Sequence, residues 1–146
     1  MVTIAALTAA DHDEWAALWA GYLTFYESEL TDEVTADVFR RLVEGGALRG
    51  AIARDDDGRA VGLVHWLFHP STWSIGPYCY LEDLFVSPDV RGGGVGRALI
   101  AHVRDRAQIE GAAKVYWLTQ SGNATARTLY DRVAEDTGFV HYQIAL

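Results

Sequence analysis

The sequence predicts a mixed α/β fold (α+β by some schemes) with a largely antiparallel central sheet, in the order β α α β β β α β α β. Three observations carry this reading. Two strand-length runs meet at an acidic turn, Asp55-Asp56-Asp57-Gly58; an apolar strand leads through a glycine run into an amphipathic helix; and a second strand then precedes a second capped helix.

Taken in order, Thr3 to Leu7 alternates weakly and reads as a first strand. Asp11 or Asp13 can cap a helix whose apolar face is Trp15, Leu18, Trp19, Tyr22 and Leu23. Thr31-Asp32-Glu33-Val34 resembles a capping box with its acid one place early, and opens a helix through Val38, Phe39 and Leu42 that ends at Gly45-Gly46. Arg49 to Arg54 and Ala60 to Phe68 read as a hairpin. Residues His69 to Pro77 form a loop by their Pro and Gly content, and Tyr78 to Val86 a buried strand. Val95, Leu99, Val103 and Ala107 recur at helical spacing; Lys114 to Thr119 is a strand; Asn123 caps a helix containing Ala126, Leu129, Tyr130 and Val133. Gly138 stops that helix, and Phe139 to Ala145 reads as a last strand.

The 146 residues suit one domain, 1–146, with no internal repeat or linker. Twelve Lys and Arg against twenty Asp and Glu give a net charge of −8, a surface that repels nucleic acid. One cysteine, Cys79, excludes an intrachain disulfide framework and fits a reducing compartment; in a buried strand it reads as a small hydrophobe. No run is long enough to span a bilayer and no signal core is present, so a soluble, cytoplasmic protein is expected. The five histidines show no metal-ligand spacing, and the three consecutive aspartates lack the pattern of a calcium loop.

The run Arg91-Gly92-Gly93-Gly94-Val95-Gly96 carries most of the functional information. Between strand and helix, such glycines let successive N–H groups and the helix N-terminus point at an anion, and a pyrophosphate fits. Neither the P-loop spacing nor the dinucleotide fingerprint is satisfied, so the commoner nucleotide motifs fall away. Arg91 and Arg97 add local positive charge to an acidic protein.

These residues resemble the GNAT superfamily of acyl-CoA-dependent N-acyltransferases. That superfamily's pyrophosphate motif, an Arg or Gln followed three and five places later by small residues, stands here from Arg91 to Gly96. The approach Leu84-x-Val86-x-Pro88 and the downstream Asn123, Ala126, Leu129-Tyr130 and Gly138-Phe139 match it also. Within the superfamily the chain looks most like the branch that acetylates di- and polyamines and like related histone and polyamine acetyltransferases. There a Ser-Thr-Trp loop, here Ser71-Thr72-Trp73, precedes a strand reading Tyr80-Leu81-Glu82-Asp83. The segment Val133 to Thr137 is longer than the usual form, which could alter the entry to the last strand and any dimer contact there.

The resemblance implies acetyl-CoA as co-substrate, no metal, a small-molecule amine as acceptor and a homodimer. It implies that Leu84, Phe85 and Val86 pair with the pantetheine arm through a strand edge splayed from its neighbour near Lys114. Loop amides of Gly92, Gly93, Gly94, Val95, Gly96 and Arg97 would hold the pyrophosphate, with Arg91 and Asn123 as further cofactor contacts. Tyr130, two helical turns after Asn123, would be the acid for the leaving thiolate, and Glu82 the base, through water. By strand alternation Glu82 shares a face with Tyr80 and Leu84 while Asp83 points the other way. Tyr22, Phe25, Tyr26, Glu27, Glu29 and Trp73, with Glu82 and Asp83, are candidate substrate contacts, since aromatic and acidic groups suit an ammonium. A protein-lysine acceptor and a CoA-binding domain without chemistry are the competing readings.

Overall fold

A computed structural model describes the whole chain, Met1–Leu146, as two compact units, Met1–Tyr116 and Trp117–Leu146. The first holds β1 (Thr3–Ala6), α1 (His12–Phe25), α2 (Asp32–Glu44), β2 (Leu48–Arg54), β3 (Ala60–His69), β4 (Tyr78–Val86), α3 (Val95–Ile109) and β5 (Lys114–Tyr116); the second holds α4 (Ala124–Val133). The strands form one sheet in the order β1-β2-β3-β4-β5. Neighbours are antiparallel through β4, and β5 joins β4 in parallel after the crossover through α3.

Val61 to Trp66 is an unbroken buried run because β3 is covered on both faces. On one side Leu63 belongs to a core with Trp15, Leu18, Trp19, Phe39, Leu42, Ile52 and Phe85, supplied by α1, α2 and the strands. On the other, Leu99 and Val103 of α3 are fully buried and Trp66 meets His102 edge-on, with ring centres 5.8 Å apart. Trp15, Leu18 and Trp19 fall on the buried face of α1, as their spacing predicts.

The helix ends follow local chemistry. Thr31 accepts the Val34 N–H at 3.2 Å and Gly45, at φ 69°, closes α2. Asp11 does not cap α1: its carboxylate takes the N–H and hydroxyl of Thr8 and the Arg54 guanidinium, fixing the turn before the helix. At the far end Ser28 N–H reaches the Leu23 carbonyl at 2.9 Å while Glu27 sits at φ 52°. That left-handed position favours glycine. Glu27→Gly is therefore expected to stabilise the protein by about 0.5–1 kcal/mol, read as a higher urea midpoint at unchanged slope.

Three sequence expectations are corrected. First, Phe139 to Ala145 forms no strand: no helix or strand follows Val133, and Phe139, Val140, Tyr142 and Ile144 are exposed. Alternation shows that a segment can form a strand; a ladder also needs a partner edge. Secondly, β5 stops at Tyr116 instead of continuing to Thr119, and its ladder with β4 consists of Tyr78↔Lys114, Cys79↔Val115 and Tyr80↔Tyr116. Thirdly, the alternation of β4 is broken in its middle.

That break is a β-bulge. His65 pairs with Asp83 while the next residue, Trp66, pairs with Leu81, so Glu82 is the extra residue. The parity of side chains flips there. Asp83 lies on the face of His65, and Tyr80, paired with Leu67, lies on that same α1-side face, as does Phe85, paired with Leu63; Leu84, paired with Val64, turns to the α3 side. The expectation that Asp83 opposes the face carrying Glu82 and Tyr80 is thus reversed: an odd insertion cancels one step of the two-residue period.

Candidate functional site

Glu82 and Asp83 stand where the bulge reaches α1. Asp83 is half-buried and lies 2.9 Å from Nδ1 of His65. Tyr22 turns its hydroxyl toward the same carboxylate; burial first, and then the Asp83 charge, raises that phenol far above its ordinary value. Tyr26, 4.9 Å from Tyr22 between ring centres, is raised by burial and by Asp83 as well. Tyr80 responds to burial and then to both carboxylates. The two acids and three tyrosines thus make one anionic, aromatic-walled site, suited to an ammonium.

Glu82 is the solvent-facing member. Even so, the protein atoms packed around its carboxyl, and next the Asp83 charge, hold it above the usual carboxylate value. A carboxylate so raised is a better proton acceptor at neutral pH than an ordinary glutamate.

The β4/β5 ladder ends at Tyr80↔Tyr116, so β4 from Leu81 to Val86 has no strand partner on that edge. Of the candidate contacts there, Phe85 is buried in the core, which leaves its backbone as the part able to meet a ligand. Downstream, Gly92 and Gly94 adopt φ 87° and 83°. No side chain caps α3 at Gly94, so the N–H groups of Val95, Gly96 and Arg97 face outward from the helix N-terminus. Positive φ at two of three glycines, next to amides that no side chain caps, is a backbone arrangement suited to an anion. Arg91 donates from Nε to the Val86 carbonyl at 3.3 Å and lies over the rings of Phe25 and Phe85, 5.8 Å from each centre. It thereby ties the loop to α1. A groove of about 700 Å³ runs alongside, lined by Gly21, Phe25, Phe85, Ser87 and Arg91 among others.

In the second unit, the Asn123 side chain accepts the Ala126 N–H at 3.3 Å and caps α4. Tyr130 is two turns along the same helix, its ring edge-on to Trp117 at 5.4 Å.

Other candidates fall outside this cluster. Trp73 is 89% exposed and its backbone N–H bonds Ser71 Oγ. Glu27 is exposed and lines a shallow recess with Thr24, Ser28 and Glu29. Cys79 is fully buried and burial pushes its thiol up to about 11, which removes it as a nucleophile. His69 gives Nδ1–H to the Pro70 carbonyl and accepts from the Tyr116 hydroxyl, a satisfied structural histidine. No three His, Cys, Asp or Glu side chains gather in a metal-holding arrangement, and no helix is long and apolar enough to cross a membrane.

Tyr22, which the sequence offers among the groups suited to an ammonium, forms a wall of the site; sequence reasoning missed the joint orientation of the two acids. A signal for that orientation existed. β4 is covered on both faces, so adjacent acids cannot occupy opposite sides without burying one, and a bulge resolves the conflict.

Comparison with known proteins gives the family and the fold. Residues 13–134 match the Acetyltransferase (GNAT) family. The chain is 35% identical to a D-amino-acid N-acetyltransferase of Saccharomyces cerevisiae over 97% of its own length and 89% of that protein. It is 31% identical to a thialysine N-epsilon-acetyltransferase of Caenorhabditis elegans, over 84% and 76%. Its fold superposes on a ribosomal-protein-alanine N-acetyltransferase from Brucella melitensis with a TM-score of 0.83, at 25% identity and full coverage of both chains. An aminoglycoside acetyltransferase bound to a CoA bisubstrate analogue gives 0.86 at 20% identity, over 100% of this chain and 99% of that one. The chain belongs to the GNAT family of acetyltransferases and is an N-acetyltransferase of that family.

Proposed function

We propose that this enzyme transfers the acetyl group of acetyl-CoA to the primary amine of a small cationic substrate, an amino acid in the first instance, by direct attack within a ternary complex. The observation that carries the reading is the bulge that brings Glu82 and Asp83 together beside Tyr22 and Tyr26. An ammonium must be held, stripped of a proton and aimed at a thioester; the oxyanion formed needs a donor, and the departing thiolate a proton. Asp83 binds the ammonium and Glu82 accepts its proton through water. The free edge of β4 from Leu84 to Val86 holds the pantetheine arm and supplies a backbone N–H to the thioester carbonyl. The amides from Gly92 to Arg97 take the pyrophosphate, Asn123 contacts the co-substrate, and Tyr130 protonates the thiolate.

The names of the two curated relatives support an amino-acid amine ahead of a polyamine. The test is thiol release from acetyl-CoA across D- and L-amino acids, thialysine, spermidine and a lysine peptide. Fastest turnover on a free amino acid is expected. A lysine peptide well ahead of every small amine would assign the acidic site to protein tails, and CoA binding by calorimetry without turnover on any acceptor would remove the catalytic reading.

A further inference from the structure

Behind the two acids lies a buried polar chain that the proposed chemistry does not use. Trp15 Nε1 is 3.0 Å from His65 Nε2, and His65 Nδ1 is 2.9 Å from the Asp83 carboxylate. Trp15 is fully buried and His65 2% exposed; His65 is the one buried polar side chain in the core. An indole nitrogen only donates, so His65 Nε2 must accept and carry no proton. The single ring proton then sits on Nδ1 and is given to Asp83.

The surroundings hold this arrangement in place. Trp15 packs on Phe39 at 4.9 Å and on Trp19 at 5.8 Å between ring centres, and Trp19 lies 5.1 Å from the His65 ring. On β2, Gly50 leaves room for the ring: a Cβ there would come within 3.3 Å of His65 Cδ2 and 2.7 Å of Leu7. The charged or titratable groups around the pair are Asp83, Glu82 and Tyr80 on β4, Tyr22 and Tyr26 on α1, and Arg41 of α2, which acts on Glu82. No cation touches Asp83 from behind.

We infer that His65 is a positioning residue, locked by Trp15 as the Nδ1–H tautomer, which orients the Asp83 carboxylate toward the substrate ammonium without cancelling its charge. A lysine or arginine in its place would orient the carboxylate and also neutralise it, and the ammonium would lose its counter-ion. A neutral donor does the first without the second. Tyr22 supplies a second neutral group from α1, so the carboxylate is fixed by uncharged partners and its charge is left for the substrate. The inference rests on the proposed amine acetylation and deepens it.

Two measurements test it. Nitrogen-15 NMR of the imidazole in the unmodified protein at pH 7.5 is expected to show His65 protonated at Nδ1 and bare at Nε2; the opposite tautomer, or an imidazolium, overturns the proposal without reference to activity. In steady-state assays, His65→Leu is expected to raise the amine KM about 10–100-fold, with the acetyl-CoA KM unchanged and kcat altered much less. His65→Asn, which keeps an N–H donor near the place of Nδ1, should recover most of the loss. An unchanged amine KM in His65→Leu, or equal damage in both variants, overturns it. Absence of turnover in the unmodified protein would instead fail the proposed function, and the NMR result would still decide the tautomer.

Discussion

Tyr130→Phe is expected to lower kcat about 100- to 1000-fold while leaving CoA affinity, measured by calorimetry, within about twofold. The substitution removes one oxygen and keeps the ring that packs edge-on against Trp117. It also leaves the α4 cap at Asn123 and the closing bond from Ala134 N–H to the Tyr130 carbonyl in place. The ring's packing against Trp117 and the helix are thereby retained, and the substitution tests the hydroxyl proposed to give its proton to the thiolate. A single-turnover experiment isolates that step: with both substrates saturating, the slow phase should be acetyl transfer itself. Turnover equal to that of the unmodified enzyme would take Tyr130 out of the chemistry.

Glu82→Gln is expected to cost a comparable 100-fold or more in kcat/KM and to reshape its pH dependence. Because burial and the Asp83 charge raise the Glu82 carboxyl, the acidic limb of the unmodified enzyme should have its midpoint above the ordinary glutamate value. The proposed base acts in its deprotonated form, so the rate is expected to rise with pH through that midpoint and then level. In E82Q the limb should vanish. In Asp83→Asn it should move to lower pH, since the neighbouring charge that raised Glu82 is gone, and the amine KM should rise with it. The stability sign follows from the same shift: a carboxyl raised on folding contributes stability below its unfolded value and loses that contribution as pH rises through its folded value. E82Q is therefore expected to melt no lower than the unmodified enzyme at pH 7.5, which separates lost chemistry from lost folding. A pH profile for E82Q that keeps the acidic limb would assign the base elsewhere.

Most of the sheet was legible because its signals are local. The acidic turn between β2 and β3, the apolar stripe of α1 and the glycine run before α3 each sit within a dozen residues and depend on nothing distant. Two parts of the site resisted for the opposite reason. The Glu82 bulge is visible only as a slip in register against His65 and Trp66, and a two-residue period read along β4 alone assigns Asp83 to the wrong face. The chain from Trp15 through His65 to Asp83 joins positions 50 and 18 residues apart, and from sequence each looks like an ordinary core or strand residue. The expected last strand failed on the same principle: Phe139, Val140, Tyr142 and Ile144 carry the pattern of a strand without a neighbouring edge to make it one.

The early end of the β4/β5 ladder has a further consequence. The edge of β4 from Leu81 to Val86, without a strand partner, is a weak seam in the sheet. A co-substrate that lies along the seam completes the hydrogen bonding as a missing strand would, so by mass action occupancy and folding become one equilibrium. At a hundredfold excess over its dissociation constant, such a ligand adds about 2.7 kcal/mol to stability. With acetyl-CoA bound along this edge as proposed, limited proteolysis of the free enzyme is expected to be faster than that of the enzyme saturated with acetyl-CoA, and equal rates would place the co-substrate elsewhere.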